Sequence, residues 1–361
     1  MYTNLSRLCI PKGSLIRDAI ARMDENKTGI VLVILSDGKL SGTITDGDIR
    51  RAMMANVDVN APVSTLITLK SGTSFAEPIT GRASDSPETH LKLMEDHRVL
   101  HLPVLDDRGR VMGLVTHEEF GTHTPLRQAV VMAGGAGTRL LPLTDETPKP
   151  MLPVGDRPLL EIIVERLREA GIQRVYVTTH HKQEQISDHF GNGQEFGVEI
   201  LYVNEDRPLG TAGALALMEK PTETMLVING DILTGLDVRR LLSFHREQHA
   251  DLTVAVRQYD IQVPYGVLEC DGASVQKLTE KPLVKFYVNA GIYLLEPGVY
   301  RFIPEGEPFD MTDLIQRLLA AGWPVCSFPI REYWLDIGQH SDYEKAQEHI
   351  KDQVRETERQ S

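Results

Sequence analysis

The chain has 361 residues, enough for two or three domains that each bury a core of their own. Its composition, 41% hydrophobic and 25% charged, is that of a soluble globular protein, and the formal net charge of −13 argues against nucleic acid as a partner. Cys9, Cys270 and Cys326 lack paired metal-binding spacing and are predicted to be reduced thiols. No leader pattern or membrane-length apolar run is present, so we expect a cytoplasmic protein with no membrane partner.

The first third of the chain contains an internal repeat. The eight residues from Gly42 align with the eight from Gly113 at an ungapped offset of 113 − 42 = 71 residues. Each unit has a helical stretch (16–23; 88–94) and an apolar strand (30–35; 100–105), followed by a tight turn, a second strand and a further helix. Residues 70–87, rich in Ser, Thr, Gly and Pro, are predicted to form the loop between the two units.

The strand–strand–helix order of both units resembles a pair of cystathionine β-synthase (CBS) modules. This resemblance implies one α+β regulatory domain that binds an adenine nucleotide or a similar metabolite through a Thr-x-x-Asp element. The matching positions are Thr45 and Asp48 in the first unit and Thr116 and Glu119 in the second, where the longer glutamate departs from the pattern. Because Thr with an acid three residues later is also a helix capping box, a purely structural role stays open at both positions.

From Gln128 onward, strand-like runs (130, 175–178, 225–228) alternate with helical runs (159–170, 238–248). This alternation predicts an α/β domain, with a Rossmann-like, mostly parallel sheet covered on both faces. Ligands of such sheets bind at the carboxyl ends of the strands, where both the segment from Gly134 and the Asn229-Gly230-Asp231 segment are expected to lie.

The apolar run 129–133 leads into a glycine-rich loop that is predicted to hold a polyphosphate. Glycines let backbone N–H groups approach phosphate oxygens closely. Arg139 adds a planar fork of donors and Lys149 a movable point charge. The predicted nucleotide-binding residues of this loop are Gly134, Gly135, Gly137 and Thr138.

This region resembles the sugar-1-phosphate nucleotidylyltransferases, whose signature Gly-Gly-x-Gly-Thr-Arg-Leu-x-Pro-Leu-Thr and later Pro-Lys-Pro-Met-Leu-Pro-Val are matched by residues 134–144 and 148–154. The resemblance implies transfer of a nucleoside monophosphate from an NTP to a sugar 1-phosphate, with release of pyrophosphate. The Leu-Gly-Thr-Ala-Gly motif at 209–213 looks closest to guanylyltransferases of the mannose-1-phosphate type, which favours GTP. A fusion with CBS modules suggests a precursor of a surface glycan.

The resemblance assigns Mg²⁺ to Asp231 and to Asp336 of the Trp-x-Asp-x-Gly element, in line with the preference of magnesium for one or two carboxylates plus phosphate oxygens. Either acid alone is better explained by a turn or a helix cap, and only their occurrence in the expected order favours metal. Arg139 is expected to contact the leaving pyrophosphate, and Lys149 the α-phosphate or the sugar phosphate. The acceptor phosphate is already an anion, so no catalytic base is required.

Further contacts are carried over from the same resemblance. The nucleotide is also expected to meet Gly210 and Thr211. The predicted sugar-phosphate-binding residues are Tyr265, Gly266, Glu280, Lys281, Asn289 and Gly291.

The predicted layout is a tandem CBS domain at 1–124 (repeats about 8–60 and 72–124), a catalytic domain at 125–350 and a charged helical tail at 351–361. A homo-oligomer is expected, with an NTP, a sugar 1-phosphate and an adenine nucleotide as small-molecule partners. Two alternatives remain. One is a non-catalytic metabolite sensor on the same fold. The other is a phosphosugar kinase, for which the sequence offers no candidate base.

Overall fold

The computed structural model describes residues 1–71, 76–120, 125–180 and 182–360. They form two compact units, an N-terminal unit of residues 1–125 with 239–249 and a C-terminal unit of residues 126–238 with 250–361. The domain boundary predicted at residue 124 falls at 121–124, outside the described residues. Among the described residues, no helix has the length and apolar character needed to cross a membrane.

The N-terminal unit repeats one three-stranded sheet. Strands Ile30–Ile34 and Leu40–Thr45 pair antiparallel, and strands His101–Leu105 and Val111–Thr116 do the same 71 residues later. Each hairpin also receives a short parallel strand, Cys9–Pro11 in the first sheet and Gly81–Arg82 in the second, and the latter lies within the segment that was predicted to be only a loop. The internal repeat is therefore confirmed.

The helices of the N-terminal unit follow the repeat less strictly. Helices Ile16–Asn26 and Pro87–His97 correspond, but helix Asp46–Met54 has only a four-residue 3₁₀ turn, His117–Phe120, as its counterpart. The α-helix predicted to start near Glu119 is therefore wrong in type over residues 117–120, and residues 121–124 lie outside the described residues. The remaining helices of the unit are Leu5–Leu8, Ser64–Leu69 and, from residue 239 onward, Val238–Glu247.

The two repeats contact each other through their hairpins. The N–H of Leu40 donates to the Gly109 carbonyl and the N–H of Val111 to the Gly38 carbonyl, both at 3.2 Å. This reciprocal pairing joins the two sheets through equivalent turns. Apolar residues buried by the strands and helices complete the core of each repeat.

The C-terminal unit contains the predicted mostly parallel sheet. In spatial order its seven strands are Glu199–Asn204, Arg174–Thr179, Gln128–Met132, Met225–Asn229, Leu283–Leu295, Leu252–Gln262 and Val325–Pro329. Only Leu283–Leu295 runs antiparallel to its neighbours among these strands. The side chains of the central strands Gln128–Met132 and Met225–Asn229 are nearly all buried, as expected for a sheet covered on both faces.

Helices and short strand pairs complete the unit. The helices are Leu159–Glu169, Gln183–Phe190, Gly210–Gly213, Met311–Ala320 and His340–Gln360. The two-stranded pairs are Pro153–Val154 with Arg157–Pro158, Ile232–Thr234 with Trp334–Asp336, and Val267–Asp271 with Ser274–Thr279.

The order of the strands creates a crevice at one edge of the sheet. The chain leaves the first strand, Gln128–Met132, toward Arg174–Thr179 on one side and returns to Met225–Asn229 on the other. A reversal of this kind separates the loops that follow the strands, so ligands bind at their carboxyl ends there. The residues that follow these strands are the candidates for chemistry.

Candidate active site

Two aspartates that lie far apart in the sequence are held together by a short strand pair. Asp231 follows strand Met225–Asn229 and immediately precedes Ile232, which pairs with Asp336. The N–H of Ile337 donates to the Asp231 carbonyl at 3.0 Å. The sequence predicted that both acids act at one site, and this strand pair brings the backbone of Asp336 next to that of Asp231.

Lys149 forms a close ion pair with Asp231. The lysine is buried, with 9% of its surface exposed, and the glycine loop packs against it: a Cβ placed on Gly137 would lie 3.0 Å from the Lys149 Cβ. A larger residue at position 137 would press on the lysine, and the φ of 66° at this position also favours glycine. The ion pair uses Oδ2 of Asp231, whereas its Oδ1 is buried and has no hydrogen-bond partner in the described part of the chain.

Arg139 and Asp336 both lie near Gly338. A Cβ on Gly338 would lie 3.8 Å from Arg139 Nη1 and 3.6 Å from Asp336 Oδ1. Burial raises the pKa of the Asp336 carboxyl, the charge of Asp231 raises it further, and the cations Lys149 and Arg139 act in the opposite direction. Two acids and two cations therefore share one electrostatic environment, in which a cation or a phosphate would alter the balance.

The residues present fit a magnesium ion bound together with phosphates. A buried carboxylate oxygen without a partner is costly unless a donor or a cation meets it, and Asp231 Oδ1 is such an atom. Within the described residues, no group of three or more His, Cys, Asp or Glu side chains is arranged as a metal site. Magnesium does not need one, because phosphate and water oxygens complete its coordination.

The glycine loop is open where the phosphates are expected. Gly137 has φ of 66° and begins the 3₁₀ turn Thr138–Leu140, and its carbonyl accepts the Thr144 hydroxyl at 2.9 Å. A Cβ on Gly135 would meet nothing within 4 Å. The predicted phosphate-binding roles of the loop residues stay predictions, and the geometry leaves the space that they require.

Glu205 was missed by the sequence reasoning. It is the first residue after strand Glu199–Asn204 and is 6% exposed, and its Oε1 lies 2.6 Å from the position of a Cβ on Gly134. Its Oε2 accepts the Leu209 N–H at 2.9 Å, and the His180 ring contacts its carbonyl oxygen. Its place after a parallel strand, four residues before the Leu-Gly-Thr motif, is the signal that could have identified it.

Gly210 and Thr211 have structural contacts in addition to any contact with a nucleotide. Gly210 has φ of 78°, and a Cβ on it would lie 2.8 Å from the Phe309 carbonyl oxygen. The Thr211 N–H donates to Asp310 Oδ1 at 2.8 Å, and the Thr211 hydroxyl accepts the Met311 N–H at 2.9 Å. The glycine is therefore required by packing against residue 309, a reason that the sequence did not reveal.

Part of the predicted sugar side comes together. A Cβ on Gly266 would lie 2.9 Å from Glu280 Oε2, and Asn289 Oδ1 accepts the Gly291 N–H at 3.0 Å. Gly291, with φ of 70°, also packs on Asn229, two residues before Asp231.

The other two sugar-side residues are less closely joined. Tyr265 is 74% exposed, and Lys281 has φ of 44° with its carbonyl bonded to Gln262. The described contacts join neither of them to the Lys149–Asp231 pair.

In the first repeat of the N-terminal unit, the Thr-x-x-Asp element forms the capping box that the sequence left as an alternative. The Thr45 N–H donates to Asp48 Oδ2 at 2.8 Å, and the Asp48 N–H donates to the Thr45 hydroxyl at 3.3 Å. Asp48 is also paired with Arg51 at 2.6 Å and closely with Lys70.

In the second repeat, the Thr116 N–H lies 3.5 Å from Glu119 Oε1, and the buried Thr116 hydroxyl has no partner among the described residues. Nucleotide binding at either position stays a prediction.

Comparison with known families agrees with this architecture. The family model described as nucleotidyl transferase matches residues 128–353, more than half of the chain. The chain belongs to the nucleotidyl transferase family. The CBS domain model matches residues 6–55 and 76–120, so the N-terminal unit carries the tandem CBS domains.

Relatives of this nucleotidyl transferase have different substrates. A mannose-1-phosphate guanylyltransferase of Mycobacterium tuberculosis is 36% identical over 60% of this chain, and a UTP–glucose-1-phosphate uridylyltransferase of Synechocystis sp. is 33% identical over 61%. The matches span 62% of the length of each of these relatives. The solved structure of HddC from Yersinia pseudotuberculosis complexed with GMP-PN is matched over 62% of this chain and 100% of that chain, with a TM-score of 0.50 and 27% identity.

Proposed function

We propose that this nucleotidyl transferase joins a nucleoside monophosphate from an NTP to a sugar 1-phosphate, releasing pyrophosphate, with Mg²⁺ as cofactor. The observation that carries the proposal is the cluster of Arg139, Lys149, Asp231 and Asp336 beside an open glycine loop, with a buried oxygen of Asp231 that no described residue contacts by a hydrogen bond. An ion bound there would neutralise phosphate charge and hold the two substrates in register.

The protein groups act by position and charge. A sugar-phosphate oxygen forms a bond to the α-phosphorus of the NTP, while the bond from the α-phosphorus to the bridging oxygen breaks and its electrons leave with pyrophosphate. In the proposed reaction, Lys149 binds the α-phosphate or the acceptor phosphate, and the exposed Arg139 binds the departing pyrophosphate. The nucleophile is already an anion, so the site needs no base.

GTP is proposed as the nucleotide on the basis of Glu205. An ionised carboxylate only accepts hydrogen bonds. Guanine presents two adjacent donors, N1–H and N2–H₂, on one edge, whereas uracil and thymine present one donor between two acceptors. Glu205 lies against Gly134 at the carboxyl edge of the sheet, with Oε1 directed at the glycine loop. A buried group that accepts from the correct base and would be left unpaired by another discriminates strongly.

The acceptor is proposed to be a mannose-type or amino-sugar phosphate whose product is a precursor of a surface glycan. The enzyme is proposed to act in the cytoplasm as a homo-oligomer and to be regulated by an adenine nucleotide at the CBS pair. Support for the last point is the presence of both CBS domains. Regulation requires that the nucleotide bind two states of the enzyme with different affinities.

The first experiment is pyrophosphate release with Mg²⁺, using GTP, UTP, dTTP, CTP and ATP against mannose, glucose and glucosamine 1-phosphates. We expect release that requires both substrates and is fastest with GTP. Nucleotide binding without release from any pair would favour the metabolite-sensor alternative. Formation of an NDP in place of pyrophosphate would instead identify a kinase.

A further inference from the structure

The C-terminal helix, His340–Gln360, has a role that its charged sequence did not indicate. Ala346 in its second turn is 0% exposed, so this part of the helix packs on the C-terminal unit. The helix makes contacts close to three of the proposed catalytic residues.

The first contact adds hydrogen bonds to a strand pair in which two prolines lie opposite each other. In the pair Pro153–Val154 with Arg157–Pro158, Pro153 lies opposite Pro158, and neither proline has an N–H to donate. The Pro153 carbonyl instead accepts the Tyr343 hydroxyl at 2.5 Å and the Gln347 Nε2 amide at 2.6 Å. Tyr343 and Gln347 are four residues apart and therefore lie on one face of the helix.

The same face fixes the turn of this strand pair. Gln347 Oε1 accepts the Gly155 N–H at 3.0 Å, so one side chain binds the backbone on both sides of residue 154. Gly155 has φ of 71°, and a Cβ on it would lie 2.9 Å from Ile350. The turn and the helix are thus packed closely enough that a residue larger than glycine at position 155 would contact Ile350.

Two more contacts reach the other catalytic segments. His340 Nε2 lies 2.8 Å from the Leu141 carbonyl, two residues after Arg139. The His349 ring stacks on Tyr333 at 3.5 Å, three residues before Asp336. With Pro153 four residues after Lys149, the helix touches the backbone or a neighbour of all three catalytic segments.

We propose that Tyr343 and Gln347 are positioning residues that hold the Pro-Lys-Pro segment, and through it the Lys149 ammonium, in the geometry required for nucleotidyl transfer. The proposal rests on the function proposed above. Neither side chain contacts a reacting atom. Loss of their bonds frees the Pro153 carbonyl and the Gly155 N–H, and a small displacement of a charged group at a reacting phosphate strongly lowers turnover.

The test is the double variant Tyr343→Phe/Gln347→Ala in the full chain, with Glu344→Gln/Glu348→Gln on the exposed side of the same helix as matched control. We expect the first variant to lower kcat about tenfold or more while KM for both substrates stays within about threefold, since binding contacts remain and only alignment is lost. A kcat equal to that of the control would overturn the proposal.

A second readout separates positioning from general destabilisation. Amide hydrogen exchange should accelerate at residues 154–157 in the double variant and stay unchanged in the central strand Met225–Asn229. Single Tyr343→Phe, which keeps the ring and removes only the hydroxyl, should show a smaller kcat loss of the same kind. Unchanged exchange at 154–157 would overturn the inference, whether or not the wild-type protein is active. Inactivity of the wild-type protein with every substrate pair would by itself refute only the proposed function.

Discussion

Two aspartates in the two units show how differently the same side chain is used. Asp48 and Asp231 both follow a strand and both pair with a lysine. Both Asp48 oxygens are engaged by the protein, Oδ1 by Arg51 and Oδ2 by Lys70 and the Thr45 N–H. Asp231 uses one oxygen, and its other oxygen is buried without a described partner. A completed set of hydrogen bonds indicates a structural role, and an incomplete one indicates a place for a ligand.

The largest effect that this comparison predicts is on turnover. Asp231→Asn keeps the size of the side chain and removes the charge, so it should weaken the metal site and release Lys149 from its ion pair. We expect a loss of about 100-fold in pyrophosphate release, with Lys149→Ala losing more than tenfold. The exposed Asp188→Asn serves as control. Near-normal rates in either active-site variant would remove that residue from the catalytic assignment.

A second prediction concerns the choice of base. Glu205→Gln can still accept the Leu209 N–H through its amide oxygen, and its new amide donor matches uracil or thymine better than guanine. The ratio of kcat/KM for GTP to that for UTP should fall about tenfold or more. Asp206→Asn, exposed and adjacent, controls for the change of charge. An unchanged ratio would mean that the base is recognised elsewhere.

The same comparison predicts a loss of stability, not of chemistry, for the first CBS position. Asp48→Asn would remove the carboxylate charge that pairs with Arg51 and with Lys70, whose side chain is only 11% exposed. We expect a loss of about 2 kcal/mol in the free energy of unfolding of the N-terminal unit, measured in urea. Glu25→Gln, in an exposed pair with Arg22, should change it by less than about 0.5 kcal/mol. If both variants behave alike, the Asp48 network contributes no more than a surface pair.

The smallest predicted effect is a pH dependence carried by His101. Burial lowers the pKa of its ring from 6.5 to about 4, while its Nε2–H donates to the Thr28 carbonyl at 2.8 Å. Below pH 6.5 the unfolded chain therefore binds a proton that the folded chain does not, and stability present above that pH is lost as the pH falls toward 4. At pH 5.5 the loss is about 1 kcal/mol. His101→Gln keeps an amide donor and should abolish this part of the dependence in urea titrations at pH 7 and 5.5.

Much of the molecule followed from local patterns. The 71-residue repeat, the alternation of strands and helices after residue 128 and the two segments proposed to bind phosphate could all be identified in the sequence, because apolar periodicity and glycine spacing are properties of short stretches of chain. The repeat predicted an α-helix near Glu119, where residues 117–120 form a 3₁₀ turn, because equivalent positions of a repeat need not have the same local helix propensity.

What the sequence determined by itself was the fold class, the family and the residue types of the proposed catalytic centre. Tertiary structure alone decided which of these residues lie close together. It formed the strand pair that brings Asp336 near Asp231, placed Glu205 against Gly134, and packed the C-terminal helix so that it contacts Pro153. These depend on contacts between residues far apart in the chain. Pairing of that kind is governed by packing and by the need to satisfy buried polar groups, which no local spacing encodes.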